Sequence, residues 1–550
     1  MTKNANKEFD RLAGRIFKAA MTLNPTEASW LGVHGANDRK LPDRSAAACK
    51  RERAQIEAFI KALDRFKGSE LSMERSVDLK LTRGGLSAQK AMIDKFPYWQ
   101  LMPQHYVDEV IFGIYVPMIR NYAPVGRRAE DILGRMKAIP HFFRQAGRNI
   151  KRPPRVFTET AILSARGALD FLDTALAGFI NDLRDPALKK KLKAEMVRTR
   201  AATEAYLKEL QGPILSRSTG RYAVGKVLFK KLLRDRHGIS YDPDDLLKIG
   251  WKVYRRTIRE MKSVAAEIDK QKNWHQIIAG LRDDHPTARG LVPAYFKAMD
   301  QARRFVRKKR LVSFPEGESI QVVPTPAFAR PILPYAAYLS PAPFEKEQKG
   351  TFWVTPPDAS LPKEHQKVML QGHMRPGIAV TALHEAYPGH HLQLSVANRL
   401  SHPLRHLFET SVFAEGWALY CEEMMYEQGF YKSKESRLLQ LKDLLWRSCR
   451  VIIDVSLHTR NMSFDEAVDF LIKKAHLVRP NADAEVRRYC ATPAQPMSYI
   501  MGKILILDLL EDYKRWKGPA FDLRTFHDDL LSHGTIPVGL VRREMGVPGR

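Results

Sequence analysis

Residues 384–391 read His384-Glu385-Ala386-Tyr387-Pro388-Gly389-His390-His391. Three imidazoles and a carboxylate fall within one short, otherwise apolar and helix-like stretch. Hydrolases that bind a metal on a helix use this chemistry. The spacing resembles the metalloprotease pattern H-E-x-x-H with two residues inserted before the second His. In the regular pattern the two His stand at i and i+4 on one helix face, and the Glu after the first activates a metal-bound water. Here position 388 is Pro. On an unbroken helix His391 lies nearly under His384, while His390 points away. Pro388 cannot donate to the carbonyl of His384, and Gly389 admits backbone angles that other residues avoid. A kink or π-type bulge is therefore expected, and it would turn His390 toward the face of His384. Geometry alone leaves His390 and His391 as alternatives.

A second segment runs Phe413-Ala414-Glu415-Gly416-Trp417-Ala418-Leu419-Tyr420-Cys421-Glu422. Its apolar residues suit a buried helix. Glu415 and Glu422, seven apart, share a face. A buried carboxylate needs a partner. Zinc hydrolases commonly add a Glu from a following helix to a His pair and keep one position open. The expected ligands are thus His384, a second His and Glu415, with Glu385 as general base. Glu422 is expected to orient a ligand imidazole from behind. The alternatives are hydrogen-bonded core histidines, a solvated Glu385, and a Glu415 paired with Arg405. His402 and His406 read as surface or packing residues.

The two segments resemble the DUF885 family, a group of bacterial helical proteins similar to gluzincin metallopeptidases. Asn24-Pro25-Thr26-Glu27-Ala28 with Leu31-Gly32-Val33-His34-Gly35 is similar to the family's start. Glu485-Val486-Arg487-Arg488-Tyr489 with Pro493-Ala494-Gln495-Pro496-Met497-Ser498-Tyr499 is similar to its late motif, usually P-G-Q-A-x-S-Y. Here Ala494 replaces Gly and Pro496 replaces Ala, while Gln495, Ser498 and Tyr499 are in place. The family's P-G-H core falls on Pro388-Gly389-His390. The resemblance therefore favours His390 as second ligand and leaves His391 as a supporting or substrate contact. It also implies Tyr499 as an oxyanion donor. Arg487 or Arg488 is a candidate for a substrate carboxylate, against a plain salt bridge to Glu485. Gln495 is expected to line the site. Zinc is the expected metal, with Mn or Fe as alternatives.

At 550 residues and 44% apolar, the chain can bury a large core. Helical periodicity marks residues 9–21, 48–66, 129–138, 161–183, 188–210, 243–270, 436–457, 464–475 and 499–515. Pro140 is expected to stop the third of these. Asp242, Pro243, Asp244 and Asp245 form a helix start. Residues 322–357 are rich in Pro (Pro324, Pro326, Pro331, Pro334, Pro341, Pro343) and are expected to hold one or two short strands, such as 350–354. The expected fold is mostly α, a large helical metallopeptidase-like fold with a cleft and a few short strands. It is read as a single domain over 1–550, with a helical part at 1–320 and a metal-site part at 321–550.

Lys and Arg number 90 against 61 Asp and Glu, a net charge of +29. Basic clusters stand at 189–193, at Lys230-Lys231 and at 303–310. Such charge attracts nucleic acid, anionic membrane or acidic substrates. The clusters are scattered and lack interleaved aromatics, and no zinc-finger, RNA-recognition or Walker pattern occurs. Nucleic-acid binding, or binding alone by a degenerate metal site, is the second expectation. No apolar run spans a bilayer. Met1 to Glu8 lead into no secretory h-region. Exported lipoproteins are common in the family, and no Cys lies near the start here. Cys49, Cys421, Cys449 and Cys490 suggest no disulfide framework. A cytoplasmic location follows as the expectation. The expected function is hydrolysis of a peptide or another small amide.

Overall fold

The structure is a computed structural model that describes residues 2–326, 330, 333 and 335–549. Pro331 and Pro334 of the Pro-rich segment lie outside the described residues. The chain divides into two compact units. One comprises Met1–Lys231 with Ala342–Lys346, the other Leu232–Pro341 with Glu347–Arg550. Both are built mainly from helices, and the described residues form a three-stranded sheet in the second unit.

In the first unit, long amphipathic helices carry the core. Val125–Asn149 buries Ile132, Met136, Ile139, Phe142, Phe143 and Ala146 on one stripe. Pro140 does not stop this helix; it lies inside it. An interior proline costs about 3 kcal/mol. The apolar stripe on both sides of Pro140 outweighs that local cost, because burying a single large apolar side chain contributes about 1.5–3 kcal/mol. The periodic stretch 161–183 is likewise not one α-helix. Arg155–Phe171 runs into a wider turn at Leu172–Leu176 before Ala177–Asn181.

The second unit is organised around the helix Lys434–Thr459. Ser433 caps its start by accepting from Ser436 N, and residues on nearly every face are buried. The helices Ser411–Glu427 and Ser498–Lys517 cross at two glycines. A Cβ on Gly416 would lie 2.4 Å from Gly502 Cα, so no larger residue fits this crossing. That approach brings Glu415, next to Gly416, and Tyr499, about one turn before Gly502, into one region. The sheet has the order β1-β3-β2, with β1 Ser319–Pro324, β2 Ala336–Leu339 and β3 Lys349–Val354. β1 runs parallel to β3, Val322 opposite Phe352. β2 runs antiparallel to it, Tyr338 opposite Phe352. The expected strand at 350–354 is β3, and β1 starts before the Pro-rich segment. No helix of the described residues is long and apolar enough to cross a membrane.

Candidate metal centre

The helix Arg375–Glu385 ends where Pro388 makes its continuation impossible. Residues 386–389 form a turn, and a new helix, His390–Ala397, begins at once. The Tyr387–Pro388 peptide is cis. Gly389 N–H donates to Leu383 O at 3.0 Å. A Cβ at this position would sit 1.9 Å from His384 O, so glycine is required by the close approach. Trp417 Nε1 donates to Pro388 O at 2.8 Å and ties the turn to the Glu415 helix. The two extra residues of the motif are thus absorbed by a full helix break rather than by a bulge. The turn packs the His384 and His390 rings at 4.8 Å between centroids, nearly perpendicular.

Ligand atoms of His384, His390 and Glu415 all lie within 4.8 Å of one another. Glu415 Oε2 is 3.3 Å from His390 Nε2 and 3.8 Å from His384 Nε2. It is buried and makes no hydrogen bond among the described residues. An orphaned carboxylate oxygen between two imidazole nitrogens suits a cation better than it suits a packed core. The His-His-Glu donor set fits zinc, and this chain's residues therefore fit a metal centre. Solvent reaches the cluster: His390 and Glu415 side chains keep 14% and 18% of their exposure.

Glu422, fully buried, places Oε1 2.7 Å from His384 Nδ1. This leaves His384 Nε2 facing Glu415. Burial would lower the His384 pKa, but the Glu415 and Glu422 carboxylates outweigh it and raise it to about 9. Burial pushes the Glu415 carboxyl up, yet the imidazoles of His390 and His384 beside it hold it well below its usual range. Glu385 stands beside His384, and its Oε2 accepts from Tyr338 N of β2 at 3.0 Å.

His391 lies outside the cluster. It is fully buried, with Nε2 2.8 Å from Glu318 Oε2 and Nδ1 2.9 Å from the Tyr338 hydroxyl. Tyr387 donates to the same Glu318 oxygen at 2.6 Å, and Arg303 Nη2 to the other at 2.8 Å. Burial would raise the Glu318 carboxyl, but these hydrogen bonds and the charges of His391 and Arg303 bring it to about 2. His391 therefore anchors the residue whose backbone holds Glu385. Arg303, counted in a basic surface cluster, belongs to this buried network. Arg405 pairs with Glu544, not with Glu415. His406 is buried beside the Leu400 carbonyl.

Tyr499 stands in the first turn of its helix, and its hydroxyl forms no hydrogen bond among the described residues. Burial and the Glu415 charge raise its pKa, with Arg450, Arg488 and Arg447 acting against them, so the phenol keeps its proton at neutral pH. Arg450 and Arg447 lie over its ring at 4.5 and 5.7 Å. Arg488 donates to Gln495 Oε1 at 2.6 Å and to Glu485 at 2.8 Å, the plain salt bridge among the two readings. Gln495 thus serves Arg488. Arg487 lies over Phe464. Glu318, Arg447 and Arg450 were not singled out in the sequence. The readable signal was Arg447 and Arg450, three apart within an apolar helical run.

The sequence profile described as "Bacterial protein of unknown function (DUF885)" matches residues 25–545. The chain belongs to DUF885. Two solved structures are similar over nearly the full length of this DUF885 chain. One is "a putative lipoprotein of unknown function from Shewanella oneidensis", with 26% identity, a TM-score of 0.80, and coverage of 98% of this chain and 99% of that one. The other is "the putative lipoprotein from Colwellia psychrerythraea", with 18% identity, a TM-score of 0.83 and 98% coverage of both; it shows the fold alone. No curated protein matches the chain. The expectation of a cytoplasmic location is corrected here: the Shewanella neighbour is described as a putative lipoprotein. The four cysteines are buried and unpaired.

Proposed function

We propose that this DUF885 protein is a metal-dependent hydrolase of peptide or other small amide bonds. The observation that carries the reading is the unbonded Glu415 oxygen facing His384 Nε2 and His390 Nε2, with Glu385 next in sequence to His384. His384, His390 and Glu415 would hold the metal, zinc before Mn or Fe. A cation held there supplies Lewis-acid polarisation of the amide carbonyl and makes water more acidic. Glu385 is fixed by Tyr338 N through one oxygen, which leaves the other to take a proton from the attacking water. The water oxygen bonds to the carbonyl carbon. Glu385 then passes the proton to the amide nitrogen as the C–N bond breaks. The free Tyr499 hydroxyl supplies a donor for the developing oxyanion. Glu422 holds the His384 ring in place. Similarity to the Shewanella neighbour supports a location in the cell envelope.

The test pairs elemental mass spectrometry with a peptide-hydrolysis assay. Wild type should carry about one metal per chain. His384→Ala, His390→Ala and Glu415→Ala should lose it, and His391→Ala should keep more of it. Glu385→Gln should keep the metal and lose hydrolysis. A metal-free wild type after metal-replete purification, or full hydrolysis by Glu385→Gln, overturns the reading.

A further inference from the structure

Beside the metal cluster lies a second set of donors that the hydrolytic chemistry does not use. Arg447 and Arg450 stand one turn apart on Lys434–Thr459, so their side chains leave the same face. Their side chains are only 12% and 7% exposed. Arg450 is stacked between Trp446 at 4.3 Å and Tyr499 at 4.5 Å, which leaves its N–H edges free to donate. Among the described residues it hydrogen-bonds only through Nε, to the Tyr489 hydroxyl at 2.9 Å. Arg447 Nε and Nη1 are buried and donate to nothing among the described residues.

The nearby acids are already engaged or poorly aimed. Glu485 is 3.2 Å from Arg450 Nη2 but is shared with Arg488. Glu422 is 3.4 Å from Arg447 Nη2, through the same oxygen that meets His384. Asp443 is 3.7 Å from Arg447 Nη1 and makes no hydrogen bond to it. Buried guanidinium N–H groups without acceptors are uncommon and costly. A carboxylate, with two oxygens in one plane, fills such forks better than water does. Glu422 Oε1 meets both His384 Nδ1 and Arg447 Nη2, which puts this donor set next to the metal cluster.

We propose that Arg447 and Arg450 bind the free carboxylate at the C-terminus of a peptide, so that the protein cleaves close to that end. This rests on the hydrolase reading for its substrate, but the carboxylate site is testable by binding alone. An Asp or Glu side chain offers the same chemistry from another source, and the probes separate the two.

Three probes are titrated calorimetrically into zinc-loaded, full-length Glu385→Gln: N-acetyl-trialanine with a free carboxylate, its C-terminal amide, and N-acetyl-Ala-Glu-Ala amide. The free carboxylate should bind at least about tenfold tighter than either amide. That preference should vanish when Arg450→Gln is added and shrink when Arg447→Gln is added, with metal content unchanged. Equal binding of acid and amide overturns the proposal. Tight binding of the Glu-containing amide overturns the C-terminal assignment. These comparisons need no arginine variant, so misfolding of one cannot rescue the idea. Wild-type hydrolysis of acid and amide at equal rates defeats the carboxylate site and leaves the hydrolase standing. A clear carboxylate preference with no hydrolysis of any peptide does the reverse.

Discussion

Glu422 Oε1 lies 2.7 Å from His384 Nδ1 while Arg447 Nη2 lies 3.4 Å from the same oxygen. A fully buried carboxylate thus connects a candidate ligand to an arginine of the neighbouring helix. It fixes the imidazole tautomer and ring orientation, and it lies close to Arg447. Glu422→Gln keeps the shape and removes the charge. Metal affinity should fall about 10–100-fold, measured by competition with a chromophoric chelator. Unchanged affinity would mean that packing alone orients His384.

Tyr499 offers the cleanest separation of chemistry from binding. Its hydroxyl is uncommitted, and Arg450 and Arg447 lie over its ring. Tyr499→Phe keeps the ring. It should lower kcat about 10²–10³-fold, with KM and metal content nearly constant. A fall of less than about threefold would return Tyr499 to a packing role.

His34 explains the family's opening motif without any catalysis. Its Nδ1 is 3.1 Å from Asp38 and its Nε2 3.0 Å from Glu345. Burial would lower its pKa, but the two carboxylates outweigh it and raise it to about 9. Gly32, with φ of +83°, lets the backbone approach Ala342 and Glu345. The charged His34 stabilises the fold fully below about pH 6.5, its unfolded value. That contribution is lost as pH rises through about 9. After solvent screening it is worth about 1–2 kcal/mol. The stability gap between wild type and His34→Gln should therefore narrow from pH 6.5 to pH 9.5 in chemical denaturation. A gap independent of pH would show that the histidine is held neutral.

Ala494 sits where the family's late motif has glycine, and its φ is +65°. The left-handed region costs a residue with a Cβ about 1–2 kcal/mol. Asp454 holds the loop in that shape by accepting from Ala494 N and Met497 N, both at 3.2 Å. Ala494→Gly removes the cost but adds chain entropy to the unfolded state. The net gain should be up to about 1 kcal/mol, read as a higher denaturant midpoint. A lower midpoint would show that the buried methyl group matters more than the backbone angle.

Much of this was legible in the sequence, for reasons that residues make plain. The long amphipathic stretch Pro243–Ile268 shows its period because one face meets solvent. Pro103–Ile119 is apolar on most faces and carries little period to read. Pro140 misled because packing on both sides overrides a local break. The adjacency of His384, Glu385 and His390 exposed the metal-site candidates directly. Glu318, Arg447 and Arg450 reach the site from other segments, and no local spacing announces such long-range partners. Arg303 looked like surface charge because its acid lies 15 residues further on.

Gly389 tests the helix break itself. Its backbone N–H reaches Leu383 O, and an added Cβ would meet His384 O at 1.9 Å. The clash is with backbone, so no side-chain rotation relieves it, and the turn must open. Opening the turn moves His390 away from His384 and Glu415 but leaves the core helices Lys434–Thr459 and Ser498–Lys517 untouched. Gly389→Ala should therefore lose most of its metal while keeping a near-native helical circular dichroism spectrum. Its destabilisation should be on the order of 1–3 kcal/mol, the usual range for overpacking. A variant with full metal content would show that the second imidazole reaches the cluster without this turn, and would reopen the choice between His390 and His391.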